Sequence, residues 1–265
     1  MPVEEKIITL TVDAIKDYQV CERFYDYKYN DKEFEYFTGR EIMSDRFENT
    51  LKRVASFFFY KKQAEIVPSY NALLNRWEKL WFPKDMDAYD LAVEQMDPVH
   101  GNLSTYSNQA AAALEQFHNV FSKDKSDPIL IDEPYTLTLS RKSRLEGRID
   151  VMLKDKIKTR VIKWSGRKIK NNYSILDFTA MRMAIENREV RPKNLEFGVY
   201  DLATVKGKYE QFDITNSDED SLRYWVNEIE TKEVYVPRRG LTPYCKGCAF
   251  DKQCSEWSGW PREVR

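Results

Sequence analysis

The sequence predicts an α/β protein: a sheet-bearing body with a helical lobe prefixed to it or inserted in it. Apolar residues recur at helical spacing through the first half of the chain and alternate at period two from about residue 128. The four cysteines sit far apart, with Cys21 alone near the start and Cys245, Cys248 and Cys254 within ten residues near the other end. The periodicities give the class, and the cysteines suggest how its two ends are tied.

The elements follow in order. Ile7 to Leu10 reads as a short strand, and Val12 to Tyr18 as a helix with Asp13 as its cap. Cys21 closes this stretch, followed by Arg23-Phe24-Tyr25. A long helix is expected over 40–65, where Ile42, Phe47, Leu51, Val54 and Phe58 keep near-helical spacing. Two more are expected over 69–82 and 105–122, the second with Ala110 to Ala113, Leu114, Phe117 and Phe121 on its apolar face. After Pro128 the pattern changes, and Ile129 to Leu139, Leu145 to Leu153 and Thr159 to Trp164 read as strands, with Asp155-Lys156 at a hairpin turn. A helix near 174–188, strands over Leu195–Leu202 and Lys208–Ile214, and a helix over 217–231 lead to the cysteine-rich tail. With no internal repeat or low-complexity linker, a single domain over 1–265 is expected. Its parts would be a mainly helical lobe (1–127, including Cys21), a sheet core (128–215), and a helix with the cysteine tail (216–265).

Charge excludes some functions. Lys and Arg number 42 against 43 Asp and Glu, a net charge of −1, so any attraction to nucleic acid must come from a local basic patch. No apolar run approaches the roughly 20 residues of a membrane span. The start, MPVEEKIITL, lacks the basic-then-apolar pattern of a signal peptide, and a cytoplasmic protein is expected.

In that compartment a CxxC with a third cysteine nearby favours metal chemistry over disulfides, a redox pair or plain structural thiols. Cys245, Cys248 and Cys254 supply three soft ligands from one loop, and a zinc or iron–sulfur centre wants a fourth. If Cys21 is that fourth, the metal staples the two ends of the fold.

Two further features bear on the family. Val12 to Tyr29 carries the lone cysteine just before Arg23-Phe24-Tyr25, and Glu133-Pro134-Tyr135 is followed by Leu145-Glu146-Gly147-Arg148-Ile149-Asp150. With the cysteine pattern, these resemble the RecB-like nucleases of the PD-(D/E)XK superfamily. They resemble more closely its iron–sulfur branch, the AddB helicase–nuclease subunits and CRISPR adaptation exonucleases. The resemblance spans nearly the whole chain. It implies a restriction-endonuclease-like mixed central sheet flanked by helices, an N-terminal helical lobe and a C-terminal iron–sulfur tail. It also implies a 4Fe-4S cluster on Cys21, Cys245, Cys248 and Cys254. Zinc is the alternative, although zinc sites usually take their cysteines as two local pairs.

Metal-dependent phosphodiester cleavage needs carboxylates to hold a divalent cation, Mg2+ or Mn2+, and benefits from a lysine that steadies developing charge. In the family the metal-binding Asp ends one strand, here Asp150, and the next strand carries (D/E)-x-K on one side. This chain reads Val161-Ile162-Lys163-Trp164-Ser165, with Lys163 at the acidic position and Ser165 at the lysine position. Asp177 and Met181 stand where the following helix would show Q-x-x-x-Y. The upstream helical histidine is missing around Gly39, Arg46, Phe47 and Leu51, and His100 and His118 read as ordinary surface or core residues. Lys168 is the candidate to stand in for the missing lysine, and Glu146 shares a strand face with Asp150. The departures imply a decayed site with Glu133 and Asp150 as residual carboxylates and Lys163 and Ser165 as degenerate positions, Asp150 being paired with Lys163 across the strands. Mg2+ or Mn2+ is expected only if the site is active.

The basic run Lys154, Lys156, Lys158, Arg160, Lys163, Arg167, Lys168 and Lys170 gathers beside that site. Lys154, Lys156, Lys158, Arg167 and Lys168 are the candidates for DNA-backbone contact, against the plainer reading of a solvated hairpin face. The aromatic run Arg23 to Tyr27 is expected to pack beside the cysteines. The favoured function is an inactive nuclease-fold protein that binds DNA or serves as a scaffold, with protein partners, in a DNA-processing complex of a phage, mobile element or bacterium. The alternative is an active metal-dependent exonuclease using Glu133, Asp150 and Lys168. A third reading is a protein–protein adaptor that does not bind DNA.

Overall fold

The computed structural model describes residues 7–30, 39–82, 103–165, 171–188, 194–202 and 209–236, together with Cys245, Cys248, Phe250 and Cys254. His100, Gly166, Arg167, Lys168 and Lys170 lie outside the described residues. The chain divides into two compact units interleaved in sequence, one from 1–37, 136–147 and 215–265, the other from 38–135 and 148–214. The helices expected in an N-terminal lobe thus belong with the later strands, while the segment bearing Cys21 belongs with the tail.

The larger unit is mixed α/β. Helix α3 (Gly39–Gln63) buries Phe47, Leu51, Val54, Ala55, Phe58 and Phe59, a stripe at spacings of three and four. Helix α4 (Tyr70–Trp81) starts at Ser69, whose hydroxyl accepts the Ala72 N–H at 3.3 Å. It buries Leu73, Trp77 and Trp81 and stops at Phe82, which precedes a proline and takes the extended conformation that position favours. Helix α5 (Leu103–Phe121) adds Ala110, Leu114, Phe117 and Phe121.

Strand β2 (Asp127–Thr138) pairs with β3 (Ser143–Lys154), and both strands run from one unit into the other. Within the larger unit, β3 pairs antiparallel with β4 (Thr159–Ser165), as Val151 opposite Ile162 and Met152 opposite Val161. Helix α6 (Asn171–Glu186) crosses over to β5 (Leu195–Asp201), which lies parallel to β4, and β6 (Tyr209–Phe212) pairs antiparallel with β5. A central strand covered on both faces loses strict alternation, and β4 buries Val161, Ile162 and Trp164 together. On one face Phe59 stacks on Trp164 at 5.7 Å between centroids, and Phe121 meets Tyr200 at 5.1 Å. On the other, Phe178 of α6 packs on Phe197 and Phe212 at 5.6 and 5.4 Å. Each fully buried aromatic contributes about 2–3 kcal/mol of transfer free energy.

In the smaller unit, β1 (Ile8–Thr11) lies parallel to the first half of β3, Ile8 opposite Ser143 and Leu10 opposite Leu145. Helix α1 (Val12–Val20) is capped by Thr11, not by the expected Asp13. As the last residue of β1, Thr11 is already extended, and its hydroxyl accepts the Ala14 N–H at 3.1 Å. Asp13 instead pairs with Lys16 at 3.2 Å. A short helix α2 (Glu22–Tyr25) and a π-helical turn (Asp26–Asn30) follow, both too brief to leave a periodic signal. Helix α7 (Asn216–Thr231) buries Leu222, Val226 and Ile229, and its Asp218 carboxylate accepts the Thr215 N–H at 2.7 Å, as in a capping box. At its far end Glu230 accepts the Ser140 hydroxyl at 2.8 Å and the hydroxyl of buried Ser143, tying the β2–β3 turn to α7. Among the described residues no helix is long and apolar enough to cross a membrane.

Candidate functional site

Two constellations carry chemistry, one in each unit. In the smaller unit, Cys21 sits in the extended break between α1 and α2. Its N–H donates to the Asp17 carbonyl at 2.9 Å, and its own carbonyl accepts the Tyr25 N–H at 3.1 Å. From the tail, Cys248 donates its N–H to the Cys245 carbonyl at 3.3 Å, and Cys254 to the Phe250 carbonyl at 2.9 Å. Phe250 is the peg between them: it is buried, and it meets Phe24 at 5.5 Å and Tyr27 at 5.3 Å, the aromatic residues that follow Cys21. The approach to the tail is latched as well. Lys232 pairs with Glu22 at 3.0 Å, the Val236 N–H reaches Glu22 at 3.2 Å, and Tyr235 packs on Tyr25 and Tyr18 at 5.7 and 6.3 Å.

These contacts bring the four cysteines into one neighbourhood. None of the four forms a disulfide. Burial pushes the Cys248 thiol up to about 11. The Phe250 N–H works against that shift, and Cys21, Cys245 and Cys254 add to it. Among the described residues no group of three or more His, Cys, Asp or Glu side chains is placed to hold a metal ion. As a donor set, the half-buried Cys248 with the three other cysteines near it offers four soft sulfurs, the ligand type of an iron–sulfur or zinc centre.

In the larger unit the constellation centres on Asp150. The β3–β4 pairing reaches Val151 opposite Ile162, and Lys163, the next residue of β4, acts electrostatically on Asp150, the residue before Val151. The Asp150 carboxylate accepts the Trp164 N–H at 2.7 Å. Asp150 keeps some exposed surface, but its carboxyl group is enclosed by protein. Burial raises its pKa, against the pull of Lys52, the Trp164 N–H and Lys163, and Asp177 raises it further. Lys163 also ion-pairs with Asp177 of α6 at 2.5 Å, and Lys52 with Glu48, one turn earlier on α3, at 2.6 Å. The result is a chain of alternating charge, Glu48, Lys52, Asp150, Lys163 and Asp177. Two ammonium groups flank the carboxylate that a divalent cation would need. The sequence marks Glu48 and Lys52 only by their i,i+4 Glu–Lys spacing on α3.

The other predicted residues are placed as follows. Ser165 lies opposite Asp201 in the β4–β5 register, and Asp201 is buried. Glu133 is half-buried on the inward-alternating side of β2 and pairs with Arg188 at 3.7 Å. Just before it, Asp132 takes a left-handed φ of 51° inside the strand. Arg148 holds that kink, donating to the Asp132 carboxylate at 2.9 Å and to its carbonyl at 3.1 Å. Glu146 is exposed. His118 is a packed residue, with Nε2 3.1 Å from the Pro68 carbonyl and its ring against Phe58.

The basic run divides. Lys158 pairs with Glu196 at 2.7 Å and Arg160 with Asp124 at 2.6 Å. Lys154 and Lys156 are exposed and make no ion pair among the described residues.

No family model matches the chain, and no curated protein matches it. Solved structures that align with the chain over most of their length include two. One is a protein named SSO0001, 11% identical, with a TM-score of 0.41, covering 95% of this chain and 86% of its own. The other, solved at 2.19 Å, is a candidate exonuclease from Eubacterium rectale, 12% identical, with a TM-score of 0.46, covering 91% of this chain and 87% of its own.

Proposed function

We propose that this chain is a RecB-like nuclease-fold protein whose hydrolytic centre has been replaced by an internal ion chain. It acts in DNA processing as a DNA-binding or scaffolding subunit. The observation that carries the reading is the 2.5 Å pair between Lys163 and Asp177 beside the enclosed Asp150. An ammonium group stands where a metal-dependent nuclease holds a cation, and a second one, on Lys52, faces the same carboxylate. Cation and ammonium compete for one carboxylate, so the lysines hold the site closed to Mg2+ or Mn2+. Binding is assigned to Lys154 and Lys156, with Arg167 and Lys168 further along the same run, as phosphate contacts. The protein works in the cytoplasm with protein partners.

The four cysteines hold a 4Fe-4S cluster in this reading, and its role is structural. When bound, the cluster cross-links Cys21 to the tail and closes a loop of more than two hundred residues. The chain's own residues prepare that closure: Phe250, Phe24 and Tyr27 dock the tail, and Glu22 fixes Lys232 and Val236.

The test is a nuclease assay with Mg2+ or Mn2+ on single- and double-stranded ends, run beside a DNA-binding measurement at low and high salt. No cleavage with salt-sensitive binding is expected. Cleavage that Asp150→Ala abolishes would establish an active exonuclease instead. Absence of DNA binding at low salt would leave a protein–protein adaptor.

A further inference from the structure

Ile157 is the most exposed of the large hydrophobic side chains described, at 79% of its free surface. It sits at the tip of the β3–β4 hairpin, in the sequence Lys154-Asp155-Lys156-Ile157-Lys158. The Asp155 N–H donates to the Lys158 carbonyl at 3.0 Å, so Lys156 and Ile157 form a two-residue loop. Such loops favour Asn, Asp or Gly with left-handed backbone. The left-handed non-glycine residues described are Glu65, Asp132 and Asn194, so this loop turns without that conformation and with a β-branched residue at its tip.

Side-chain bracing holds the turn. The Asp155 carboxylate accepts the Ile157 N–H at 2.7 Å and the Lys158 N–H at 2.9 Å, and the Asn194 side-chain amide donates to the Ile157 carbonyl at 2.9 Å. A residue that turn chemistry disfavours is therefore presented to solvent on a fixed backbone. Local rules are broken in this way where function requires it.

The charges around the tip point to the occupant. Lys158 is matched by Glu196, and the Asp155 carboxylate is held by two N–H groups of the turn. Lys154 and Lys156 remain as exposed cations, one before the turn and one beside Ile157. A protein partner would need an apolar patch, and one isoleucine falls far short of the roughly 800 Å² that each side of a stable interface contributes. A base step needs no more than one apolar wedge, with cations on the adjacent phosphates.

We propose that Ile157 is a wedge that inserts into the base stack of DNA at a duplex end or junction while Lys154 and Lys156 hold the flanking phosphates. This rests on the reading that the chain binds DNA.

The test uses the full chain and a duplex with a single-stranded overhang that carries 2-aminopurine at the junction. Wild-type protein is expected to raise the fluorescence severalfold as the base unstacks. Ile157→Ala, a surface change that leaves the fold intact, is expected to abolish the rise while weakening binding by no more than about threefold. Lys154→Ala with Lys156→Ala is expected to lower the slope of log affinity against log salt by about 2. Ile157→Ala retaining the full rise, or wild-type protein binding without any rise, overturns the wedge and leaves DNA binding standing. No binding of the duplex at low salt overturns both.

Discussion

Lys163 Nζ stands 2.5 Å from Asp177 Oδ1, and the same ammonium pulls electrostatically on the Asp150 carboxylate. Both partners of the pair are largely buried, with side chains 25% and 10% exposed. Removing one member of such a pair leaves a desolvated charge, whereas removing both leaves a hole that apolar atoms can fill. Lys163→Met and Asp177→Leu are each expected to cost about 3 kcal/mol, and the double variant Lys163→Met with Asp177→Leu clearly less than their sum. Urea unfolding of the three variants measures this, and additive costs would show that the pair is not coupled.

Two carboxylates of the larger unit are expected to titrate with opposite effect on stability. Burial raises Asp150 above its ordinary 3.8, so the folded state holds that proton more tightly than the unfolded state. Its contribution is full below 3.8 and is lost as pH climbs through the folded value. Asp124 is the reverse. Burial would raise it, but the Ser126 N–H and the Arg160 guanidinium outweigh burial and hold it below 3.8. Its contribution is present above 3.8 and is lost as pH falls through the folded value. At pH 7, Asp124→Asn is expected to cost about 2 kcal/mol, a deficit that closes only below pH 3.8. Asp150→Asn is expected to be no less stable than wild type at pH 7, its advantage fading toward pH 4 as Asp150 protonates in both states. Thermal unfolding across pH 3 to 8 reads both.

Gly198 on β5 has the ring of Tyr209 from β6 lying where a Cβ would stand. Tyr209 is partly exposed and can swing outward, so Gly198→Ala should cost about 1 kcal/mol, not the larger penalty of an overpacked core. Tyr209→Ala in the same background should remove most of that penalty. A cost of several kcal/mol that survives Tyr209→Ala would place the clash in the backbone.

The long periodic elements were legible in the sequence because burial of one face repeats over many residues. Helix α3 follows Phe47, Leu51, Val54 and Phe58, and β3 follows Leu145, Ile149, Val151 and Leu153. What depends on distant pairing was not legible. Nothing in the spacing tells that Lys52 on α3 faces Asp150, or that Asp177 on α6 takes Lys163, because ion pairing has no period. Phe250 sits in a tail without regular spacing, and its partners Phe24 and Tyr27 lie more than two hundred positions earlier. The division into two interleaved units likewise reflects which segments pack together and leaves no compositional boundary.

Cys21 and Cys248 offer the sharpest separation of a staple from an ordinary buried thiol. Cys248 feels the other three cysteines electrostatically, and the tail is docked independently by Phe250 against Phe24 and Tyr27. If a cluster ties the ends, Cys21→Ser must remove iron and acid-labile sulfide as completely as Cys248→Ser does, although Cys21 lies far away in sequence. Phe250→Ala leaves all four ligands in place and removes a side chain that is 3% exposed, at an expected cost of about 3 kcal/mol. That variant should retain its iron when purified anaerobically and lose it faster under chelator, because the cross-link then holds the tail without its aromatic dock. Iron, sulfide and visible absorbance measured on the three variants decide the matter. A colourless anaerobic protein with one zinc per chain would replace the cluster by zinc, and a Cys21→Ser protein that keeps its metal and its melting temperature would show that the tail binds without the N-terminal ligand.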